Sequence, residues 1–392
     1  MKSLHRRVPH LLWQHIRAAT ALGFAVSFGA VLQLQAGGAP DACGDWPQTA
    51  FDARHSGYNR FENILARWNV KHLTELWSAP IGGGIYASPI VSEGKLFIGG
   101  GDRRMHAIDA VTGAALWIGP RQPLFFVDSA AAGHGLVFAS GLYSTLLAYD
   151  GDTGEIAWTS ALTDVRASPT LAGGKLYVAS FDGTLSALDP ATGASIWSVK
   201  GSCCVYDQAP VVDGGRVFQT RTDGTMTAYD TSTGTQLWTR AAFSVGTMAA
   251  GHGKIFFNDY PNVVALDEET GARVWATPVG SESEPTAPVL ANGMVFVTQS
   301  RLWALNAQTG AVVWSAPVES FWGPTVANGV VYASNQSGEW DAFDERDGTL
   351  LWSVVIDGGC FFSCANAVPV VANGILYLAG PDDKVHAFGL DR

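Results

Sequence analysis

Charge is scarce in this sequence. Only 15% of its 392 residues are Asp, Glu, Lys or Arg, while 47% are hydrophobic. That balance supplies a large core and argues against intrinsic disorder. Positive charge is the scarcer sign, with 24 Lys and Arg against 35 Asp and Glu. Lys2, Arg6, Arg7 and Arg17 lie in the first 36 positions, which hold no acid; without that stretch 20 bases face 35 acids, a net of −15. A chain of that sign repels phosphate backbones and anionic lipid, which argues against nucleic acid and membrane surfaces as partners.

Long hydrophobic runs are missing too, with one exception. Ala18 to Leu34 run almost without polarity, after the basic stretch and before the small residues Ala36, Gly37, Gly38 and Ala39. This is the form of a secretory signal cut near Ala36 or Ala39. The run is about 17 residues, the lower limit for crossing a bilayer, so an uncleaved anchor is the alternative. Cys43 follows Pro40, Asp41 and Ala42, a poor lipoprotein box. The expected organisation is a signal over residues 1–36, a leading segment over 37–72 and a folded body over 73–392, exported to the periplasm or beyond.

Other chemistry is absent. There is no Gly-x-Ser-x-Gly elbow, no phosphate loop and no histidine pair at metal-ligand spacing. His134 and His252 each sit in a Gly-His-Gly turn and are expected to be exposed.

Glycine and tryptophan are in excess, at 45 and 14 residues, and one repeat explains both. Trp77, Trp117, Trp158, Trp197, Trp238, Trp275, Trp314 and Trp352 recur at spacings of 37 to 41. Seven of them end the pattern Ala, apolar, Asp, two residues, Thr-Gly, three residues, Trp, as in Ala107, Asp109, Thr112, Gly113 and Trp117. Two copies drift, with Asn306 for Asp and Asp347 for Thr. The Asp starts a turn by accepting bonds from nearby amides, Gly ends it at positive φ, and the flanking apolar residues alternate as half-buried strands do. One Trp per unit offers a flat surface to the neighbouring unit.

A second pattern falls midway, as in Ser88-Pro89, Ser168-Pro169, Ala287-Pro288 and Val368-Pro369. It leads into hairpins such as Asn292-Gly293 and Asn373-Gly374, a strong two-residue turn signal. Each unit is thus read as four short antiparallel strands, one blade of an all-β, eight-bladed propeller. The eighth unit has three strands, and the missing outer one is supplied by Leu73 to Ser78 at the front of the chain. That closure removes exposed edges, and truncating either terminus is expected to open the ring.

The Ala-x-Asp-x-x-Thr-Gly-x-x-x-Trp repeat resembles the tryptophan-docking motif of the quinoprotein (pyrroloquinoline quinone repeat) β-propellers. The segment Asp45, Trp46, Pro47, His55, Gly57, Tyr58, Asn59, Asn69, Val70 and Leu73 resembles the segment that precedes the first blade in that family. The resemblance covers residues 45–390 and implies two functions. Some members are quinone-dependent alcohol dehydrogenases using pyrroloquinoline quinone and calcium. Others bind proteins without catalysis.

Loops before the inner strands are where propeller ligands sit. Tyr86, Asp128, Arg166, Asp207, Thr247, Glu284, Trp322 and Asn366 occupy them, with charge of both signs. Such variety among like blades suits a binding site; solvated loops are the plain alternative. Cys203 and Cys204 are adjacent and lie in one such loop. The dehydrogenases carry a vicinal disulfide at a similar place beneath the quinone, so the resemblance implies a Cys203–Cys204 bond. A bond to another cysteine or two free thiols are the alternatives, and Cys360 and Cys364 could close locally. Of the tryptophans outside the motif, Trp303, Trp322 and Trp340 are binding candidates.

Against catalysis, the Gly-Thr-Gly-Asn-Pro stretch that supplies a metal-binding Asn in those enzymes is missing. Asp207, Gln208 and Ala209 stand where the resemblance implies an Arg. The sequence therefore points to an extracytoplasmic propeller that binds an envelope or extracellular protein or a small ligand, with no cofactor. A pyrroloquinoline quinone- and calcium-dependent alcohol or sugar dehydrogenase is the alternative.

Overall fold

The structure, a computed structural model, describes residues 44–391 apart from positions 125, 127, 142–143, 206–207, 243–246, 281–285, 319, 321, 336–337 and 357–366. Residues 1–36, Cys43, Asp207, Glu284, Cys360, Cys364 and Asn366 lie outside the described residues.

Eight antiparallel sheets form an eight-bladed propeller. Blades 1 to 7 span residues 90–118, 131–159, 170–200, 211–241, 248–278, 289–316 and 325–355, each running from its inner to its outer strand. Blade 8 takes three strands from residues 370–390 and its outer strand, Leu73–Pro80, from the front of the chain. That strand pairs antiparallel with Lys384–Leu390, from Leu73 opposite Leu390 to Pro80 opposite Lys384. The expected closure is therefore present. Blade 7 departs from the four-stranded plan, because Tyr58–Asn59 adds a short parallel strand beside Thr325–Ala327.

Local chemistry sets each blade. The hairpin after every inner strand has two residues at positive φ, for instance Asn292 (49°) with Gly293 (78°) and His134 (58°) with Gly135 (73°). Two successive left-handed residues make the turn whose twist matches the strands. His134 and His252 are exposed turn residues, as expected. At the other turn, Asp109 Oδ1 accepts from the Thr112 amide and hydroxyl, both at 2.8 Å. The same bonds recur at Asp150, Asp189, Asp230, Asp267 and Asn306. At Asp109, Asp150, Asp230 and Asp267 they favour the ionised carboxylate, and the Ser232 hydroxyl, chiefly, brings Asp230 down to about 2.

The repeated tryptophans join neighbours. Six of the eight indole N–H groups reach a backbone carbonyl of the next blade: Trp117 to Gly151 (3.0 Å), Trp158 to Pro190 (3.0 Å), Trp197 to Thr231 (3.1 Å), Trp238 to Glu268 (3.1 Å), Trp275 to Ala307 (3.1 Å) and Trp314 to Glu345 (2.9 Å). The ring lies over the glycine that ends the neighbour's turn. A Cβ on Gly234 would sit 2.8 Å from the Trp197 indole. Trp77 of blade 8 covers Gly113 of blade 1 in the same way and closes the circle. Trp352 instead meets Phe388 of blade 8 edge-on, with ring centroids 5.4 Å apart.

The leading segment threads the ring. Trp46 exchanges two backbone bonds with Val91 of blade 1 (2.9 and 2.8 Å). The carbonyls of Pro47, Ala53, Arg54, Ser56 and Gly57 then accept from Ala132, Val212, Ala250, Leu290 and Val326, at 2.7 to 2.9 Å. Those are blades 2, 4, 5, 6 and 7. Blade 3 is met by the Gln48 side chain, which pairs with both backbone groups of Leu171, and blade 8 by Asn59 Nδ2, 2.8 Å from the Val371 carbonyl. Inner strands otherwise present an unpaired edge to the axis. Residues 46–59 satisfy it in blade order and form a plug at the hairpin end. Gly57 (φ 63°) is needed there, since a Cβ would lie 2.5 Å from the Val289 side chain.

Candidate functional site

The plug and the starts of the inner strands enclose a cavity of about 340 Å³. The plug supplies its floor, with Trp46, Thr49, Ala50, His55 and Gly57. The wall is built by register. Three residues before each inner-strand contact of the plug, blades 1, 2, 3 and 5 place Ser88, Ser129, Ser168 and Thr247, and blades 6, 7 and 8 place Ala287, Gly323 and Val368. One arc of the wall therefore carries hydroxyls and the other is small or apolar. Tyr86, Asp128, Thr286 and Trp322 complete it.

His55 is buried, with φ 53°. Its Nε2 lies 3.4 Å from Thr170 Oγ1, whose own proton goes to the Pro210 carbonyl at 2.6 Å. The threonine oxygen can then only accept, so Nε2 carries the imidazole proton. Burial pulls the His55 pKa down to about 4, against the nearby Asp52 carboxylate, which raises it. The ring is neutral at pH 7. Asp52 fixes the loop by accepting from the Arg54 and Ser56 amides at 3.1 and 3.0 Å.

Of the residues expected from sequence, Tyr86, Asp128, Thr247 and Trp322 come together in this cavity. Arg166 is not part of its lining. Its guanidinium makes two bonds to Asp164 (2.8 and 3.2 Å) and stacks 3.7 Å over the Phe181 ring. Of the other two tryptophans, Trp340 is core and Trp303 packs against the core of blades 5 and 6.

Cys203 and Cys204 also lie outside the lining, and the expected bond between them is not formed: both are free thiols, half-buried. Cys203 Sγ is 3.3 Å from Thr222 Oγ1. That hydroxyl, chiefly, lowers the Cys203 pKa, whereas desolvation and its neighbour raise that of Cys204.

The floor was not foreseen as a site. His55 and Trp46 were visible only as part of the leading segment. The hydroxyl arc is legible in principle, since Ser88 and Ser168 precede the strand-opening prolines; of the expected loop positions Thr247 falls on the arc, whereas Tyr86, Asp128 and Arg166 stand one or two residues before Ser88, Ser129 and Ser168.

Comparison with known proteins agrees with this architecture. Residues 62–130, 122–204, 143–281 and 259–391 match the PQQ-repeat family described as outer membrane protein assembly factor BamB. The chain is similar to the quinoprotein alcohol dehydrogenase PedH of Pseudomonas putida, 31% identical over 153 residues, which is 33% of this chain and 26% of that enzyme. It is also similar to the outer membrane protein assembly factor BamB of Shewanella oneidensis, 26% identical over 155 residues, or 36% of this chain and 39% of that protein. Each match thus spans well under half of the relative. Among solved structures, a quinohemoprotein alcohol dehydrogenase from Comamonas testosteroni superimposes with a TM-score of 0.71 at 16% identity, covering 89% of this chain and 81% of the enzyme. BamB from Moraxella catarrhalis does so with 0.65 at 18%, covering 82% and 98%. These two likenesses concern the fold alone. With a profile matched from residue 62 to 391 and eight closed blades, the chain belongs to the PQQ-repeat family of β-propellers.

Proposed function

We propose that this chain is a non-catalytic binding propeller of the cell envelope, exported by residues 1–36, which receives a small ligand or an envelope protein at the cavity end of the ring. The observation that carries this reading is the chemistry of the cavity. Pyrroloquinoline quinone bears three carboxylates and calls for cationic partners. Among the described lining residues there is no Lys or Arg, and the single acidic residue is Asp128. Nor do any three His, Cys, Asp or Glu among the described residues stand close enough to hold a metal ion. The described residues therefore do not fit the quinone and its calcium. The name of the BamB relatives, an outer membrane assembly factor, supports an envelope setting and a protein partner.

One observation favours the other reading, a quinone-dependent alcohol or sugar dehydrogenase: adjacent Cys203 and Cys204 lie in the loop that enters blade 4, in a chain with such enzymes among its relatives. The two readings separate on mixing purified protein with pyrroloquinoline quinone and Ca²⁺. No stoichiometric uptake and no dye-linked alcohol oxidation are expected. Uptake with oxidation overturns the binding reading.

A further inference from the structure

We propose that the outer face of the plug carries a second binding site, separate from the cavity, for the oxyanion group, carboxylate or phosphate, of a small organic molecule. This goes beyond the binding reading above and does not depend on it.

The site begins in the alternation of the plug. An extended segment turns successive side chains to opposite faces. His55 and Gly57 line the cavity, whereas Arg54, Ser56, Tyr58 and Arg60 line a groove of about 350 Å³ at the hairpin end. Its walls are the hairpins of blades 5 and 6, with His252 on one side and Asn292 on the other. That is room for a small molecule.

Charge selects the ligand. The described lining of the groove holds two arginines and no acid. Both guanidinium groups turn to one oxygen, Asp52 Oδ2, Arg54 at 3.2 Å and Arg60 at 3.7 Å. Two positive charges thus share one carboxylate. The other oxygen, Asp52 Oδ1, is held by the Arg54 and Ser56 amides, so the carboxylate is fixed and gathers both guanidinium groups at one place before any ligand arrives. Among the described residues the Arg54 guanidinium makes no other hydrogen bond, and that of Arg60 adds only its stacking 4.7 Å over the Phe61 ring. Most of their N–H donors are unspent, and the planar fork they form matches a carboxylate or a phosphate.

The neighbouring acids are engaged elsewhere. Glu345 is buried and accepts both its bonds from the Asn292 amide (2.9 and 3.0 Å), while Glu268, behind the blade 5 hairpin, faces Arg216 at 3.5 Å. The field inside the groove therefore favours an anion, against the sign of the chain as a whole. Leu290 and the Tyr58 ring offer apolar surface to the body that carries the anion.

The test uses the whole processed chain and four probes built on one ring: benzyl phosphate, phenylacetate, benzyl alcohol and benzylammonium. By calorimetry at pH 7 and low salt, at least one anion is expected to bind about tenfold or more tightly than the alcohol, with no measurable binding of the ammonium compound. Preference for benzyl phosphate marks a phosphoryl ligand and preference for phenylacetate a carboxylate; either supports the site. Arg60→Gln should weaken the anion about tenfold and leave the thermal midpoint unchanged, and Arg60→Lys, which keeps the charge without the fork, should fall between. Arg346→Gln, at an arginine bonded to Asp344, should change nothing. Bound anion should also slow phenylglyoxal modification of the peptide that contains Arg54 and Arg60, read by mass spectrometry. No heat with either anion at millimolar concentration, equal affinity for anion and alcohol, or anion binding indifferent to Arg60→Gln overturns the proposal. The same variant keeps the quinone and Ca²⁺ experiment distinct: uptake with oxidation that persists in Arg60→Gln comes from elsewhere than this groove.

Discussion

The side-chain amide of Asn59 donates to the backbone carbonyl of Val371, 2.8 Å away and 312 residues further along the chain. The same amide donates to the Gly44 carbonyl at 2.9 Å, and its oxygen accepts from the Phe61 and Glu62 amides at 3.0 and 3.2 Å. Asn59 is fully buried, so removing it leaves several backbone groups without partners. Asn59→Ala is expected to cost about 2–4 kcal/mol in urea unfolding. A cost under about 0.5 kcal/mol would show that the plug does not anchor blade 8.

The tryptophan dock makes a paired prediction. Gly234 needs a left-handed conformation (φ 71°), and a Cβ there meets the Trp197 indole at 2.8 Å. Gly234→Ala should destabilise by about 2–3 kcal/mol from backbone and steric effects together. In a Trp197→Ala background the steric part is reduced to the 3.2 Å contact with the Val199 side chain, so Gly234→Ala should cost about 1 kcal/mol less. Strict additivity in that cycle would remove the steric account of the glycine.

Acid stability should report His55. The unfolded imidazole takes up its proton near pH 6.5, the buried one only near 4, so the unfolded state binds more protons in between. Stability therefore falls as the pH drops from 6.5 towards 4 and levels off below, by about 3 kcal/mol. Asp341, raised to about 6 by burial, acts in the opposite sense: its contribution is present at low pH and lost as the pH rises through 6. His55→Asn keeps a residue tolerant of φ 53° and leaves Asp341 in place, so the two proteins' stability difference isolates the histidine. That difference should be flat above pH 7 and shift in favour of the variant towards pH 4.

Closure of the ring can be tested at the strand that shuts it. Deleting Leu73–Pro80 leaves Lys384–Leu390 as an exposed edge and removes Trp77 from Gly113. The variant should lose its cooperative thermal transition and self-associate in ultracentrifugation. A monomer with an unchanged midpoint would show the strand to be dispensable.

The adjacent thiols should differ in reactivity. Thr222 is the main group lowering the Cys203 pKa, so Cys203 should react faster with a disulfide reagent at pH 7 than Cys204, each measured with the other as Ser. Thr222→Val should slow Cys203 several-fold. An unchanged rate would show that the 3.3 Å contact does not matter to the thiolate.

The blades were legible because their causes are local. An Asp that accepts from the amides two and three residues on, a Gly at positive φ and a Trp at fixed spacing act within one unit, and eight repetitions fix the period. Even the borrowed strand could be foreseen, since Leu73 to Ser78 has the form of an outer strand with no blade of its own. The site was legible only in part. Tyr86, Asp128, Thr247 and Trp322 were found because loops before inner strands converge in any propeller. Arg166 was misplaced because its pairing with Asp164 and Phe181 turns on loop conformation, which no periodicity encodes.

The sequence by itself determined the unit, the number of units and the interlock between neighbours, because each depends on residues within about one repeat length. Only the tertiary structure decided what fills the middle. Residues 46–59 carry no repeat, and their bonds run to strands as much as 312 positions away. Whether His55 faces water or lies neutral beneath a cavity depends on eight inner edges meeting at one axis, a geometry that exists only after the ring has closed.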